Sequence, residues 1–430
     1  MNQDEDTTIQ KLTPGTWHGR VIRHEHNEVP GQIILIEDRE YFFPENNPSI
    51  FFREGSWVQV IVDDQRNQEL KLLQEPWISP TSSGDILRWR RPGQNPSRMH
   101  LLKKRHQLFL ETRKWFDQQG FIETETPLMV QAPSPEAQFS LMQVHGESRE
   151  NEDLPRKPKA FLITSPEYQM KRMLVGGFEK IFQICRCFRN GEIGPLHHPE
   201  FTMLEWYRAH GTLRDVINDV TQLCRYLSTK VSGTVPINDQ SWPILRVRDL
   251  FQDKLGIRLT GRESSQELLA QAQDSGMSTA VEDLTESNPD ELSYESVFFR
   301  LWDQIEPKLG KECPVWVWEW PLPLASLACP LPDSPGFADR AECYVNGIEL
   351  ANGFGELTDP EEQLRRFQSD LELREKTSRQ HVPLDHKFLQ SLKEGMPHSA
   401  GMALGLDRLL LWLTGTKNIS QVLSFSWEEI

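Results

Sequence analysis

The sequence has no unbroken run of 18 apolar residues, so it offers no helix long enough to span a bilayer. It has no CxxC pair. Its six cysteines are scattered over 430 residues and supply neither a disulfide framework nor a zinc site. Cys185 and Cys187 lie in the apolar stretch IFQICRCF and read as inert strand thiols, one of them facing inward. No GxxxxGK[ST] occurs, so a nucleotide site here is not a P-loop. Positive charge is short as well: 47 Lys and Arg stand against 63 Asp and Glu, a net −16. That balance excludes a chain whose main task is to coat phosphate backbones. The opening MNQDEDTTIQ is acidic and polar, the opposite of a secretory or transit peptide, and the expected compartment is the cytoplasm.

Apolar residues at 37% and charged residues at 26% describe an ordinary globular chain, and the length suits two or three domains. Residues 14–75 contain short β-rich runs, WHGRVIRH, GQIILIED, REYFFP and WVQVIVDD, between Gly, Pro, Asn and Asp punctuators. They read as a small all-β barrel of the OB or cold-shock kind. Residues 1–78 carry 7 basic and 14 acidic side chains, so this module reads as a packing or protein-docking unit, not an RNA binder. A Pro/Ser/Gly-rich linker, PWISPTSSGD, follows. Residues 84–115 then invert the charge with 9 basic and 2 acidic side chains, either a solvated helix face or a surface for an acidic partner. The expected division is a β-module over 1–78, a linker over 79–97 and an α+β domain over 98–430.

Within that domain, MHLLKKRHQLFLETRKWFDQQG has helical apolar spacing and stops at Gly120. FIETETPLM reads as a strand ending at Pro127. AFLITSPEYQ, EKIFQICRCFRN and FTMLEWYR read as strands of an antiparallel sheet, with a helix at PEYQMKRMLVGG. Residues 210–310 read as mostly helical. VWVWEWPLPLASLA reads as another strand, AECYVNGIELANGFGEL as a strand-turn pair and DPEEQLRRFQSDLELREK as an amphipathic helix. GMALGLDRLLLWLTG is a strand turning directly into a helix.

Three constellations carry chemistry. Arg189 leaves a strand into a Gly-containing turn, and its planar fork matches phosphate oxygens, with His197 and Phe201 returning beside it. Glu205, Glu342, Glu349 and Glu356 fall on nearby strands. The Asn346-Gly347 hairpin is expected to set Glu342 across from Glu349, a pair suited to Mg²⁺ or to an ammonium group. In GMALGLDR, glycines allow close backbone approach, and Arg408 adds a second fork in the first turn of a helix.

The motifs FRN…HPEFTMLEWY, ELANGF.EL and G.ALG.DR, with FIETETP upstream, resemble those of class II aminoacyl-tRNA synthetases in their lysyl form. TSPEY.MKR, GIELANGF.ELTD, EGMP…G.ALG.DRL and the FS-containing ending resemble more closely a paralogous family. Those are ligases without an anticodon-binding domain that attach (R)-β-lysine to elongation factor P. The resemblance spans roughly residues 84–430 and leaves the N-terminal 80 outside it. It implies an antiparallel sheet of six or seven strands flanked by helices, and a homodimer formed through the motif containing Pro127. It implies that ATP is held by Arg189, Asn190, Gly191, Glu192, His197, His198, Phe201, Glu349, Leu350, Gly405 and Arg408. Arg189 and Arg408 would be catalytic at the phosphates, and Glu342 and Glu349 would carry Mg²⁺. The lysine or (R)-β-lysine pocket would comprise Ser165, Pro166, Glu167, Glu205, Tyr207, Asn352, Glu356 and Ala403, and elongation factor P would be the acceptor.

Three positions qualify the pattern. Lysyl-tRNA synthetases resemble G.G.G.DR where this chain has Ala403, and one methyl group in a tight pocket discriminates by about 1–3 kcal/mol. Relatives have Glu directly after Arg-Asn, whereas here Gly191 intervenes and Glu192 follows, a shift that a bulge at Gly191 would absorb. His198 stands where relatives have Asn. Two other readings remain open at this level: a reduced lysyl-tRNA synthetase, which the acidic module disfavours, and a non-catalytic regulator on the same fold.

Overall fold

The computed structural model describes residues 12–26, 29–36, 39–44, 51–78, 85–89, 97–136, 138–145, 159–231, 237, 240–285, 292–377 and 379–430. Most of the expected linker, the centre of the basic stretch and most of the charged loop 145–159 lie outside them. The chain divides into two compact units, residues 1–104 with 421–424, and residues 105–420 with 425–430.

The first unit is an OB-like antiparallel sheet of β1 (Gly15–His26), β2 (Val29–Ile36), β3 (Arg39–Pro44), β4 (Trp57–Val62) and β5 (Gln68–Gln74), in the order β3-β2-β1-β4-β5. β4 alternates strictly, and Val58, Val60 and Val62 bury against Val21, Ile34, Ile36 and Phe43. A short helix α1 (Asp85–Arg88) follows, and the Trp89 indole donates to the Ser424 carbonyl at 2.7 Å.

The second unit is built on a nine-stranded sheet. Its strands are β6 (Ile122–Glu123), β10 (Lys180–Phe188), β11 (Glu200–Ala209), β12 (Ile244–Arg246), β13 (Val315–Pro321), β14 (Pro330–Leu331), β15 (Ser334–Val345), β16 (Ile348–Gly355) and β17 (Ser399–Gly405). A separate three-stranded sheet holds β7 (Met129–Val130), β8 (Gln143–His145) and β9 (Lys159–Leu162). The helices are α2 (Arg98–Gln118), α3 (Glu167–Val175), α4 (Leu213–Lys230), α5 (Val247–Leu255), α6 (Ser265–Asp274), α7 (Glu282–Thr285), α8 (Tyr294–Trp302), α9 (Pro360–Lys376), α10 (His386–Gly395) and α11 (Leu406–Thr414).

The sheet is larger than the six or seven strands expected. Six strands, in the order β13-β15-β16-β17-β11-β10, are antiparallel throughout, and the short β12 and β6 add parallel edges. FIETETPLM is not one strand: only Ile122–Glu123 pairs with β10, and past Pro127 the chain joins the smaller sheet. AFLITSPEYQ likewise contributes β9 to the small sheet, not to the large one. Cys185 and Cys187, two residues apart on β10, share a face, with Cys187 buried, Cys185 half-buried and their sulfurs 3.9 Å apart.

Local chemistry explains the joints. Asn346 (φ 54°) and Gly347 (φ 77°) make the two-residue turn between β15 and β16, which requires left-handed backbone at both positions. Thr212 and Asp215 form a capping box on α4, and Asp359 caps α9 ahead of Pro360. On the α2 side of the sheet, Phe116 stacks on Phe182 at 4.5 Å and meets the edge of Trp206 at 5.4 Å. Phe116 is fully buried, so Phe116→Ala removes a ring from the centre of this contact. The expected cost is about 3–5 kcal/mol, read as a lower thermal midpoint of the second unit's transition. A midpoint equal to that of the parent protein contradicts the packing described.

Candidate active site

Antiparallel register assembles the floor of the site. Gln183 on β10 pairs with Glu205 on β11, Glu205 with Ala403 on β17, Ala403 with Asn352 on β16, and Asn352 with Glu342 on β15. Directly paired residues project to the same face, so five strands deliver one continuous row. The row beside it runs Tyr207, Gly401, Phe354, Arg340. Above them lies a cavity of about 210 Å³. A Cβ at Gly401 would collide with the Tyr207 ring and with Oε1 of Glu356, so only glycine lets these two side chains converge there.

One end of the cavity is cationic. The Arg189 guanidinium lies 4.3 Å from the Phe139 ring centroid and 5.2 Å from that of Phe201, and its Nη1 is 3.8 Å from Glu192 Oε1. Arg408 donates to the Glu349 carbonyl at 2.8 Å and to His197 Nε2 at 2.7 Å. Burial and the Arg408 charge hold the His197 imidazole below its ordinary pKa, which favours the neutral ring that can accept this bond. Behind Arg408, buried Asp407 accepts from the Thr202 backbone N–H at 2.7 Å and from the Arg105 guanidinium, fixing the start of α11 against β11. Among the described residues, the Arg189 Nε and His198 Nε2 atoms are buried without a hydrogen-bond partner.

The other end is anionic. Glu205 is 2% exposed; its carboxylate accepts from Ser165 Oγ at 2.8 Å and from the Tyr207 hydroxyl at 2.6 Å. Burial, reinforced by Glu167, pushes the Glu205 pKa up to about 8. Glu356 is equally buried and is also raised to about 8, although an ion pair with Lys171 at 2.5 Å pulls the other way. Glu167, on the first turn of α3, is raised by burial despite the same lysine at 2.6 Å. Asn352 lines this part of the cavity, its buried Oδ1 without a partner among the described residues.

Of the residues singled out from the sequence, Ser165, Glu167, Arg189, Glu192, His197, His198, Phe201, Glu205, Tyr207, Glu349, Leu350, Asn352, Glu356, Ala403, Gly405 and Arg408 all line this one cavity. Pro166, Asn190, Gly191 and Glu342 do not. Gly191 sits in the β10–β11 turn at φ 80°. The ladder itself is regular, so the displaced glutamate is accommodated in the turn and not by a bulge between the strands.

Glu342 and Glu349 are not opposite each other. Glu349 pairs with Tyr344, a register shift follows between Cys343 and Tyr344, and Glu342 therefore faces Asn352. The Glu342 oxygens accept from Arg340 at 2.6 Å and from the Tyr344 hydroxyl; burial chiefly, with Glu349 adding, raises its pKa to about 7.

Residues without a sequence signal complete the site. Phe139 and Glu136 come from the loop before β8, which buried Arg374 on α9 holds by donating to the Glu136 and Phe139 carbonyls at 2.9 and 3.0 Å. Ser326, at φ 49°, donates to Glu136 at 2.5 Å. Lys171 did leave a signal, since Glu167 lies four residues before it on one helix face.

The family of class II tRNA synthetases (D, K and N) matches residues 87–429. The elongation factor P–(R)-β-lysine ligase of Haemophilus ducreyi is 36% identical over 339 residues, which cover 78% of this chain and 96% of that protein. The protein of the same name from Erwinia tasmaniensis is 37% identical over 329 residues, covering 76% and 94%. That from Histophilus somni is 35% identical over 329 residues, again 76% and 94%. With its motifs gathered on one antiparallel floor and its length matched so broadly, the chain belongs to the class II (D, K and N) tRNA synthetase family.

Proposed function

We propose that this chain is an ATP-dependent ligase that activates (R)-β-lysine, or lysine, as an adenylate and transfers it to a lysine side chain of elongation factor P. The observation that carries this reading is the polarity of one cavity: two arginine forks at one end and the carboxylates of Glu167, Glu205 and Glu356 at the other, over one floor on which Glu205, Ala403 and Asn352 stand in line. An amino acid bearing a terminal ammonium group fits the anionic end and points its carboxylate toward the cations. Ala403 faces its backbone and is the position that discriminates the α- from the β-amino acid.

In this reading no protein nucleophile takes part. The substrate carboxylate attacks the α-phosphorus of ATP, pyrophosphate leaves, and an acceptor amine then displaces AMP from the carbonyl. Arg189, with Nε uncommitted, meets the charge that develops at the α-phosphate. Its two flanking rings hold the guanidinium in place, with Phe201 also offering a face to adenine. Arg408 and His197 meet the outer phosphates, and Glu192 with His198 Nε2 faces the nucleotide in place of the family's Glu and Asn.

No cluster of three His, Cys, Asp or Glu side chains suited to a metal occurs among the described residues. Half-exposed Glu349 would hold an Mg²⁺ at the phosphate end, with Glu342, whose oxygens already accept from Arg340 and Tyr344, adding negative charge behind it. Bound there, Mg²⁺ supplies charge neutralisation on the leaving pyrophosphate. The division into a β-module (1–78), a linker (79–97) and a catalytic domain (98–430), a homodimer through the surface at Pro127, where Leu128 and Met129 are exposed, and a cytoplasmic setting belong to the same proposal. No helix among the described residues is long and apolar enough to cross a membrane. The retained Arg189, Glu349, Glu356 and Arg408 speak against a non-catalytic regulator, and the net −7 of residues 1–78 against a tRNA-binding module.

Incubation with ATP, (R)-β-lysine and elongation factor P, followed by intact-mass measurement of the factor, tests the reading. The factor gains one β-lysyl group, and Arg189→Ala slows this by about 10²–10³-fold. An unchanged factor mass with the parent enzyme overturns it.

The raised carboxylates set a pH dependence. In the ligand-free pocket Glu205 and Glu356 hold protons up to about pH 8, and an incoming ammonium favours their ionised forms, so binding releases protons. Affinity for (R)-β-lysine therefore rises between about pH 6.5 and 8, seen as a falling KM. The ligand-free fold changes in the opposite sense. Because the folded pocket binds protons that the unfolded chain has released, its stability declines as pH rises toward 8. A pH-independent KM contradicts this assignment.

A further inference from the structure

Lys171 takes no part in the chemistry above, yet its environment is unusual for a lysine. The side chain is fully buried, and its Nζ lies 2.6 Å from Glu167 Oε1 and 2.5 Å from Glu356 Oε2. Burying a lysine is costly, and an apolar side chain of similar size often stabilises a core as well or better. Its cost is offset only by the two carboxylates, which outweigh burial and hold the ammonium charged above its ordinary range.

Lys171 meets Glu167 from its own helix α3 and Glu356 from just beyond β16, and those two carboxylates in turn face Glu205, with its Tyr207 hydroxyl partner on β11, and Glu136 from the loop before β8. Glu167, Glu205 and Glu356 all line the cavity, whereas Lys171 lies behind them. With the Glu136 oxygens already accepting from Ser134 and Ser326, Glu167, Glu205 and Glu356 against one ammonium leave a net charge of −2 when all three are ionised. A diamino acid brings two ammonium groups and balances that charge; a monoamino acid of the same length leaves one buried carboxylate uncompensated.

We propose that Lys171 is a positioning residue that sets the charge count of the amino-acid pocket, occupying the rear of Glu167 and Glu356 so that the pocket accepts a substrate with two ammonium groups. Lys171 touches neither substrate nor ATP and acts through the two carboxylates. This inference rests on the ligase reading, and its test separates the two.

The test compares Lys171→Met, which fills the volume without charge, Lys171→Arg, which keeps the charge, and Lys171→Ala, in amino-acid-dependent pyrophosphate–ATP exchange. Lys171→Met is expected to raise the KM for (R)-β-lysine by about tenfold or more, with kcat within about threefold, because the unbalanced carboxylates retain protons. Lys171→Arg retains a KM within about threefold of the parent's. In Lys171→Ala, ethylammonium lowers the KM again, and ethanol, similar in size and neutral, does not. A parental KM in Lys171→Met, or rescue of Lys171→Ala by ethanol as well as by ethylammonium, overturns the proposal and leaves Lys171 a packing residue. Should Lys171→Ala fold only with ethylammonium present, the Met and Arg variants decide the matter alone. Absence of exchange in the parent enzyme with every lysine analogue overturns the ligase reading instead.

Discussion

The backbone pairing of β11 with β17 and of β17 with β16 sets the floor of the site, against which every other polar group is placed. Because Glu205 pairs with Ala403 and Ala403 with Asn352, a carboxylate, a methyl group and an amide lie in line across the cavity floor. A slip of one residue in the first ladder would set the Glu205 carboxylate on the opposite face from Ala403, and a slip in the second would do the same to the Asn352 amide. The register is held from outside by Asp407, which ties the start of α11 to Thr202 and Arg105, and from above by Gly401, whose missing side chain leaves room for Tyr207 and Glu356. The sheet thus fixes geometry, and the loops and helices around it supply charge.

That charge is strongly separated. Arg189 and Arg408 at one end would repel a bare cation, and the buried Glu167, Glu205 and Glu356 at the other would repel a bare anion. Each end gathers like charge in a buried setting, which is costly unless opposite charge offsets it. The unpartnered Arg189 Nε, His198 Nε2 and Asn352 Oδ1 atoms and the carboxylates that retain protons to about pH 8 express that cost. A substrate with an ammonium group at one end, a carboxylate in the middle and polyphosphate beyond it satisfies both ends at once. In the proposed reading, recognition and catalysis draw on the same electrostatic separation.

Much of this was legible in the sequence because the chemistry-bearing residues lie in short contiguous motifs. A strand exit such as CFRN, a hairpin turn such as Asn346-Gly347 and a strand-to-helix junction such as GLDR place their side chains by local rules alone. What local rules do not reach is long-range register. The shift between Cys343 and Tyr344, which separates Glu342 from Glu349, has no signature in AECYVNGIEL. Nor does a loop announce its destination: Phe139 reaches Arg189 only because Arg374, over 230 residues away in sequence, anchors the carbonyls beside it. Edge strands escape local rules for a related reason, since FIETETPLM alternates as a strand should but Pro127 divides it between two sheets.

Amino-acid activation in a cavity whose two ends carry opposite charge is the step on which the proposed function turns. Isotope exchange between pyrophosphate and ATP, measured with (R)-β-lysine, with lysine and with 3-aminohexanoate, which lacks the terminal amine, isolates that step from any acceptor. The account predicts exchange with the diamino acids and little or none with the monoamine. Exchange that is as fast with 3-aminohexanoate as with (R)-β-lysine, or that does not depend on an amino acid at all, would contradict it.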